Sequence, residues 1–110
     1  MGKFVKGDVV VVPFPFSDLS TSKKRPALVV TNLKGDDVIL CQITSTFRKD
    51  SDSIPLFNED FLKGSLNQAS TIRPNRLFTA DSRIIIYPAG KISSLKINEV
   101  INKIIEIIKR

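Results

Sequence analysis

The chain has 110 residues, 42% apolar and 25% charged, the composition of an ordinary globular protein rather than a disordered or fibrous one. That length suits one domain, residues 1–110, burying roughly two-thirds of its unfolded surface. Seventeen Lys and Arg against eleven Asp and Glu leave a formal charge of +6, which favours a polyanionic partner, and the lack of any histidine excludes His-based acid or base catalysis, Ser-His-Asp triads and His-ligated zinc.

The segment Met1 to Lys6 reaches Gly7-Asp8 too soon for a signal-peptide apolar region, and no run approaches the ~20 apolar residues of a membrane span. The expectation is a cytoplasmic protein with no membrane partner. Val9-Val10-Val11-Val12 is β-branched throughout and predicts a strand over 8–14 buried on both faces, with Pro13 and Pro15 ending regular pairing. The polar stretch that follows Phe16 carries no apolar period and reads as an exposed, mobile loop ending at Lys23-Lys24-Arg25. Pro26, with φ locked near −65°, then stiffens the entry to a second strand, Ala27 to Thr31.

Turn residues from Asn32 to Asp37 predict a hairpin into a third strand, Val38 to Thr44. Cys41 lies inside its apolar run and reads as a small core side chain. A polar stretch follows from Thr46 to Ser53; Ile54 to Phe57 then reads as an edge strand, because Pro55 cannot donate to a ladder. Glu59 to Gly64 suggests a helical turn closed by Gly64. Ser70 to Arg73 and Arg76 to Thr79 read as two pieces of one bent strand interrupted at Pro74-Asn75, and Arg83 to Tyr87 as a further strand. From Ser94 the period changes: Ile97, Ile101, Ile104, Ile105 and Ile108 recur at helical spacing, with Val100 and Ile107 widening the apolar face, and predict an amphipathic helix over 94–109. Six short strands with one terminal helix suggest a mainly β fold, a small antiparallel sheet bent into a partly open barrel, because closure removes exposed edges.

Three places carry candidate chemistry: Arg25, Thr44-Ser45-Thr46, and Arg73 through Asp81. Taken singly, each has a plain alternative. Arg25 also suits a solvated strand end, Thr44 and Ser45 a turn cap, Asp81-Ser82 a turn, and Arg73 ordinary surface.

In combination these residues resemble the MazF/PemK family of toxin endoribonucleases from type II toxin-antitoxin modules. The resemblance rests on Lys6-Gly7-Asp8 with the valine run, Lys24-Arg25-Pro26-Ala27-Leu28-Val29-Val30, Ile43-Thr44-Ser45 and Leu77-Phe78-Thr79-Ala80-Asp81. It implies an SH3-like barrel with a C-terminal helix, a homodimer, cleavage of single-stranded RNA without a metal or other cofactor, and a cognate antitoxin whose disordered tail covers the RNA groove. Carried over position by position, the family's catalytic arginine falls on Arg25, its catalytic threonine on Thr44, its aspartate on Asp81 and an upstream basic residue on Arg73, with Ser45 completing the T-S motif. Two departures stand out: Phe78 replaces an arginine that some members carry before T-x-D, and the first-loop histidine of some members is missing.

The chemistry can be argued from the residues as well. RNA carries its own nucleophile, the ribose 2′-hydroxyl, so a nuclease need only align it with the phosphate and stabilise the growing charge. Arg25 supplies a permanently charged fork matched to phosphate oxygens, and Thr44 a hydroxyl. Lys23, Lys24, Arg48 and Lys49 would hold the backbone, with Ser45, Thr46, Arg73 and Arg76 as further RNA contacts. Phe16 or Phe47 would stack a base, or else fill the core. Base choice is expected from residues 15–24 and 47–53. Two competing readings have a toxin of the same fold that acts by binding a protein such as DNA gyrase, as CcdB-type relatives do, or a nucleic-acid-binding barrel that cuts nothing.

Overall fold

Seven strands form one antiparallel sheet in the computed structural model, which describes residues 4–15, 22–46 and 50–110. They are β1 (Asp8–Pro15), β2 (Ser22–Asn32), β3 (Asp37–Thr44), β4 (Ile54–Leu56), β5 (Phe61–Gly64), β6 (Ser70–Asp81) and β7 (Tyr87–Ile92), followed by helix α1 (Ser94–Ile108). The order across the sheet is β4-β6-β3-β2-β1-β7-β5, bent into a half-barrel whose open edges are the two shortest strands. Short edges limit the unpaired backbone offered to another chain.

The valine run of β1 explains why the sheet is buried on both sides. Val9 joins Leu28, Cys41, Ile43, Ile72 and the helix residues Ile97, Val100 and Ile104 in one cluster. Val10 and Val12 join Ala27, Val29, Val38 and Leu40 in a second. Successive strand residues point to opposite faces, so four β-branched residues in a row serve both. The Ser93 hydroxyl accepts the Lys96 N–H at 3.2 Å and starts α1. Lys96 Nζ then reaches the Pro55 carbonyl at 3.1 Å and the Asp60 carboxylate at 3.6 Å, fastening the first turn of α1 to β4 and to the segment before β5. Ile105 and Ile108, expected on the apolar face, stand exposed. No helix among the described residues is long and apolar enough to cross a membrane.

Four sequence expectations are corrected. Lys23, Lys24 and Arg25 do not precede β2 but lie within it, paired with Phe14, Pro13 and Val12 of β1. The helical turn expected over 59–64 is a 3₁₀ turn at Asn58–Asp60 followed by β5. Gly64, at φ +68°, pairs with Gly90 of β7, and the close approach of the two backbones leaves no room for a side chain there. The isoleucine-rich run expected as a strand over 83–87 begins instead as a 3₁₀ turn at Ser82–Ile84, capped by the Asp81 carboxylate, and β7 starts only at Tyr87. The strand count rises from six to seven. The interruption at Pro74-Asn75 is present as a register jump: Gln42 pairs with Arg73 and Cys41 with Leu77, so Pro74, Asn75 and Arg76 bulge out of β6.

Candidate active site

Pro26 shapes the end of the sheet where the candidate residues gather. The β2/β3 ladder ends at Ala27↔Gln42, beside Pro26, which has no N–H to extend it. Continuing that register by two residues sets Arg25 opposite Thr44. Thr44 in turn pairs with Thr71, and Gln42 with Arg73, on the other side of β3. Residues two apart on a strand share a face. Arg25, Thr44 and Thr71 therefore form one row and Ala27, Gln42 and Arg73 the next, on the same face of the sheet.

Thr44 and Thr71 are buried, and Arg25 is half-buried. The Thr44 hydroxyl oxygen accepts the Thr46 N–H at 3.2 Å, which occupies a lone pair and leaves the hydroxyl proton to donate outward. Arg73 is only 7% exposed, yet its Nε has no hydrogen-bond partner among the described residues. Its nearest counter-charge is Asp50, whose carboxylate stands 4.0 Å from Nη2. Hydrogen bonds from the Ser53 hydroxyl and from the Asp52 and Ser53 amides, together with the Arg73 charge, hold the Asp50 carboxyl below the usual range. A buried guanidinium with a spare donor has the chemistry to bind an anion. Cys41, beneath this row, is inert by contrast: burial pushes its thiol up to about 12, and its Sγ donates to the Arg73 carbonyl at 2.9 Å.

At the same end of the sheet a cleft of about 450 Å³ is lined by Val11, Lys23, Lys24, Arg25, Pro26 and Ser45, together with Leu66, Asn67, Gln68, Ser70 and Tyr87. Among the described residues three cations and no carboxylate line it, so its potential suits a phosphodiester. Thr46 is exposed beside Ser45 at its rim. Sequence reading missed Asn67, Gln68, Ser70 and Tyr87, which come from two segments distant in the chain. It also missed Gln42 and Thr71, whose only signal is their register with Arg73 and Thr44.

Thr44 and Arg73 are not among the residues that line this cleft, and two further expected site residues lie elsewhere. Asp81 pairs with Asp37 at the opposite end of β3 from Thr44, seven residues and roughly 23 Å along the strand. Its carboxylate accepts Nε and Nη2 of Arg83, at 3.0 and 2.6 Å, and the Arg83 N–H at 2.9 Å. The Arg83 side chain first, then its amide, holds the Asp81 carboxyl down at about 2. Arg76 lines a different, largely apolar cleft of about 440 Å³ with Gln42, Leu77, Phe78, Ala80 and Ile84. Phe16, Phe47, Arg48 and Lys49, and most of the first loop, lie outside the described residues.

With this geometry in view, the comparisons with known proteins are consistent with one another. The family model of the PemK-like, MazF-like toxins of type II toxin-antitoxin systems matches residues 5–108. An endoribonuclease from a mycobacterial species, solved with its cognate antitoxin, superposes with a TM-score of 0.73 at 14% identity, over 96% of this chain and 95% of that one. A second mycobacterial endoribonuclease gives 0.75 at 17% identity, over 99% and 94%. Toxin MazF-mt6 of Mycobacterium tuberculosis gives 0.67 at 19% identity, over 91% and 96%. No curated protein matches the chain.

Proposed function

Because the chain belongs to the family of PemK-like, MazF-like toxins of type II toxin-antitoxin systems, we propose that it is an endoribonuclease that cuts single-stranded RNA through the RNA's own 2′-hydroxyl. The observation that carries this reading is the cleft in which Arg25 stands with Lys23, Lys24 and Ser45 and which no carboxylate lines among the described residues. Two of the similar structures are endoribonucleases, one of them bound to its antitoxin, and they support the same activity and an antitoxin partner here.

In the reaction, the 2′-oxygen attacks the adjacent phosphorus and loses its proton while the bond from phosphorus to the 5′-oxygen breaks. The leaving oxygen takes up a proton. The products are a 2′,3′-cyclic phosphate and a 5′-hydroxyl, and no water enters. Arg25 stabilises the charge that grows on the equatorial oxygens, and loss of one such donor typically costs about 10²- to 10³-fold in rate. Thr44, anchored through Thr46, donates its proton to a phosphate oxygen. Arg73 offers its unspent Nε donor to the same or a neighbouring phosphate, and Lys23 and Lys24 hold the flanking backbone. Asp81, engaged by Arg83 at the end of β6, serves as a turn cap. A homodimer would present the cleft twice on one basic surface.

The test is incubation of the purified chain with mixed-sequence single-stranded RNA in EDTA. Discrete cuts are expected. Binding without strand breaks would sink this reading and favour a nucleic-acid-binding barrel; neither binding nor cutting would favour a toxin with a protein target.

A further inference from the structure

Part of the cleft lining has a chemistry that phosphate binding does not use. Tyr87, at the start of β7, is 50% exposed and pairs with Val11, while Pro26 flanks Val11 on the other side of β1. Tyr87 and Pro26 are therefore two strands apart, about 10 Å across the sheet, a span that one nucleotide bridges from phosphate to base. Asn67 and Gln68 line the same cleft as Tyr87. The turn that carries them is pinned where it enters β6, since the Ser70 hydroxyl donates to the Gln68 carbonyl at 3.0 Å. An aromatic face, two amides each with a donor and an acceptor, and cations one nucleotide away match a nucleoside with its phosphate.

We propose that Tyr87, Asn67 and Gln68 form a nucleobase subsite in which the Tyr87 ring stacks a base of single-stranded RNA and the two amides read its edge. The inference rests on the RNA reading given above and adds which groups choose the base: it places part of that choice on the β5–β6 connection and the first residue of β7, outside both first-expected loops. A ring stacks on any base, so Tyr87 supplies affinity and the amides supply selection.

The chain has one tyrosine and no tryptophan, so its tyrosine emission reports Tyr87 alone. The probes are a 2′-O-methyl single-stranded oligonucleotide, which lacks the nucleophile, and an abasic oligomer of equal length. The base-bearing oligomer should quench the emission and the abasic one should not. Tyr87→Ala should weaken binding of the base-bearing oligomer about 5- to 150-fold, and Tyr87→Phe should restore most of it. Asn67→Ala and Gln68→Ala should shift which sites of a long RNA are cut, and an unchanged set of cuts would overturn the reading of the base edge by these amides. Circular dichroism melts confirm that each variant is folded. Binding of the base-bearing oligomer without quenching, or with wild-type affinity in Tyr87→Ala, would overturn the subsite while leaving the nuclease reading standing. Quenching by both oligomers alike would also overturn it, since the cleft would then be sensing backbone. Absence of any binding would overturn both readings.

Discussion

Arg73 offers a direct way to separate what the fold needs from what the site needs. Its side chain is buried in the sheet with an unpartnered Nε and an approach of 4.0 Å to Asp50. A buried donor left unsatisfied costs about 1–3 kcal/mol, and an apolar side chain of similar length removes that cost without stranding a buried charge, because Asp50 is exposed to water. Because Nη2 retains its approach to Asp50, the gain for Arg73→Met falls at the low end, about 1 kcal/mol. For a domain near this size that raises Tm by about 4–8 °C. The same substitution should weaken binding of a 2′-O-methyl RNA and flatten its log-log salt dependence by about 0.7 for each phosphate that is no longer neutralised. Thermal melts and fluorescence anisotropy at several salt concentrations measure both. A variant that melts lower and binds RNA as before would refute the reasoning, and Arg73 would then be a structural residue.

Three further outcomes follow from particular side chains. Arg25→Ala should lower the cleavage rate about 10²- to 10³-fold while moving Tm little, and Arg25→Lys should recover only part of the rate, since a point charge lacks the fork; wild-type cutting by the alanine variant would remove the site assignment. Asp81 has a carboxyl depressed to about 2 by Arg83, so its stabilising contribution is complete above the unfolded value of ~3.9 and is lost as pH falls toward about 2; a carboxyl NMR titration giving an ordinary midpoint would contradict the Arg83 pairing. Gly64→Ala should lose about 2 kcal/mol or more in urea unfolding, because φ is +68° and a Cβ there would overlap the Ala89 carbonyl oxygen; an unchanged midpoint would contradict the close approach of β5 and β7.

The first three strands and the helix are legible in sequence because local pattern and tertiary role agree there. Val9 to Val12 need two buried faces and find them, and the isoleucine spacing from Ile97 meets the sheet at Ile97, Val100 and Ile104. The disagreements arise where pairing overrides propensity. Ile84, Ile85 and Ile86 look like a strand, yet the Asp81 cap turns the chain there. The strand comes next, in Tyr87-Pro88-Ala89-Gly90, a weak β sequence held by neighbours on both sides. In the site, the motif residues were visible but their spacing was not. Thr44 and Asp81 each match a motif, and only the β3/β6 register shows that they sit at opposite ends of that strand pair. Tyr87, Asn67 and Gln68 carry no linear signal at all, because the cleft that unites them exists only once β7 crosses beside β1.

The central claim is that the RNA supplies the nucleophile and Arg25 with Thr44 supplies the charge stabilisation. The most direct measurement is mass spectrometry of the ends produced in EDTA from an oligoribonucleotide with one mapped cut, beside the same oligomer carrying a single 2′-deoxy residue just before that cut. The account predicts a 2′,3′-cyclic phosphate and a 5′-hydroxyl from the first, and no cut at that position in the second. Cleavage across the deoxy residue, or a 5′-phosphate end, would contradict it.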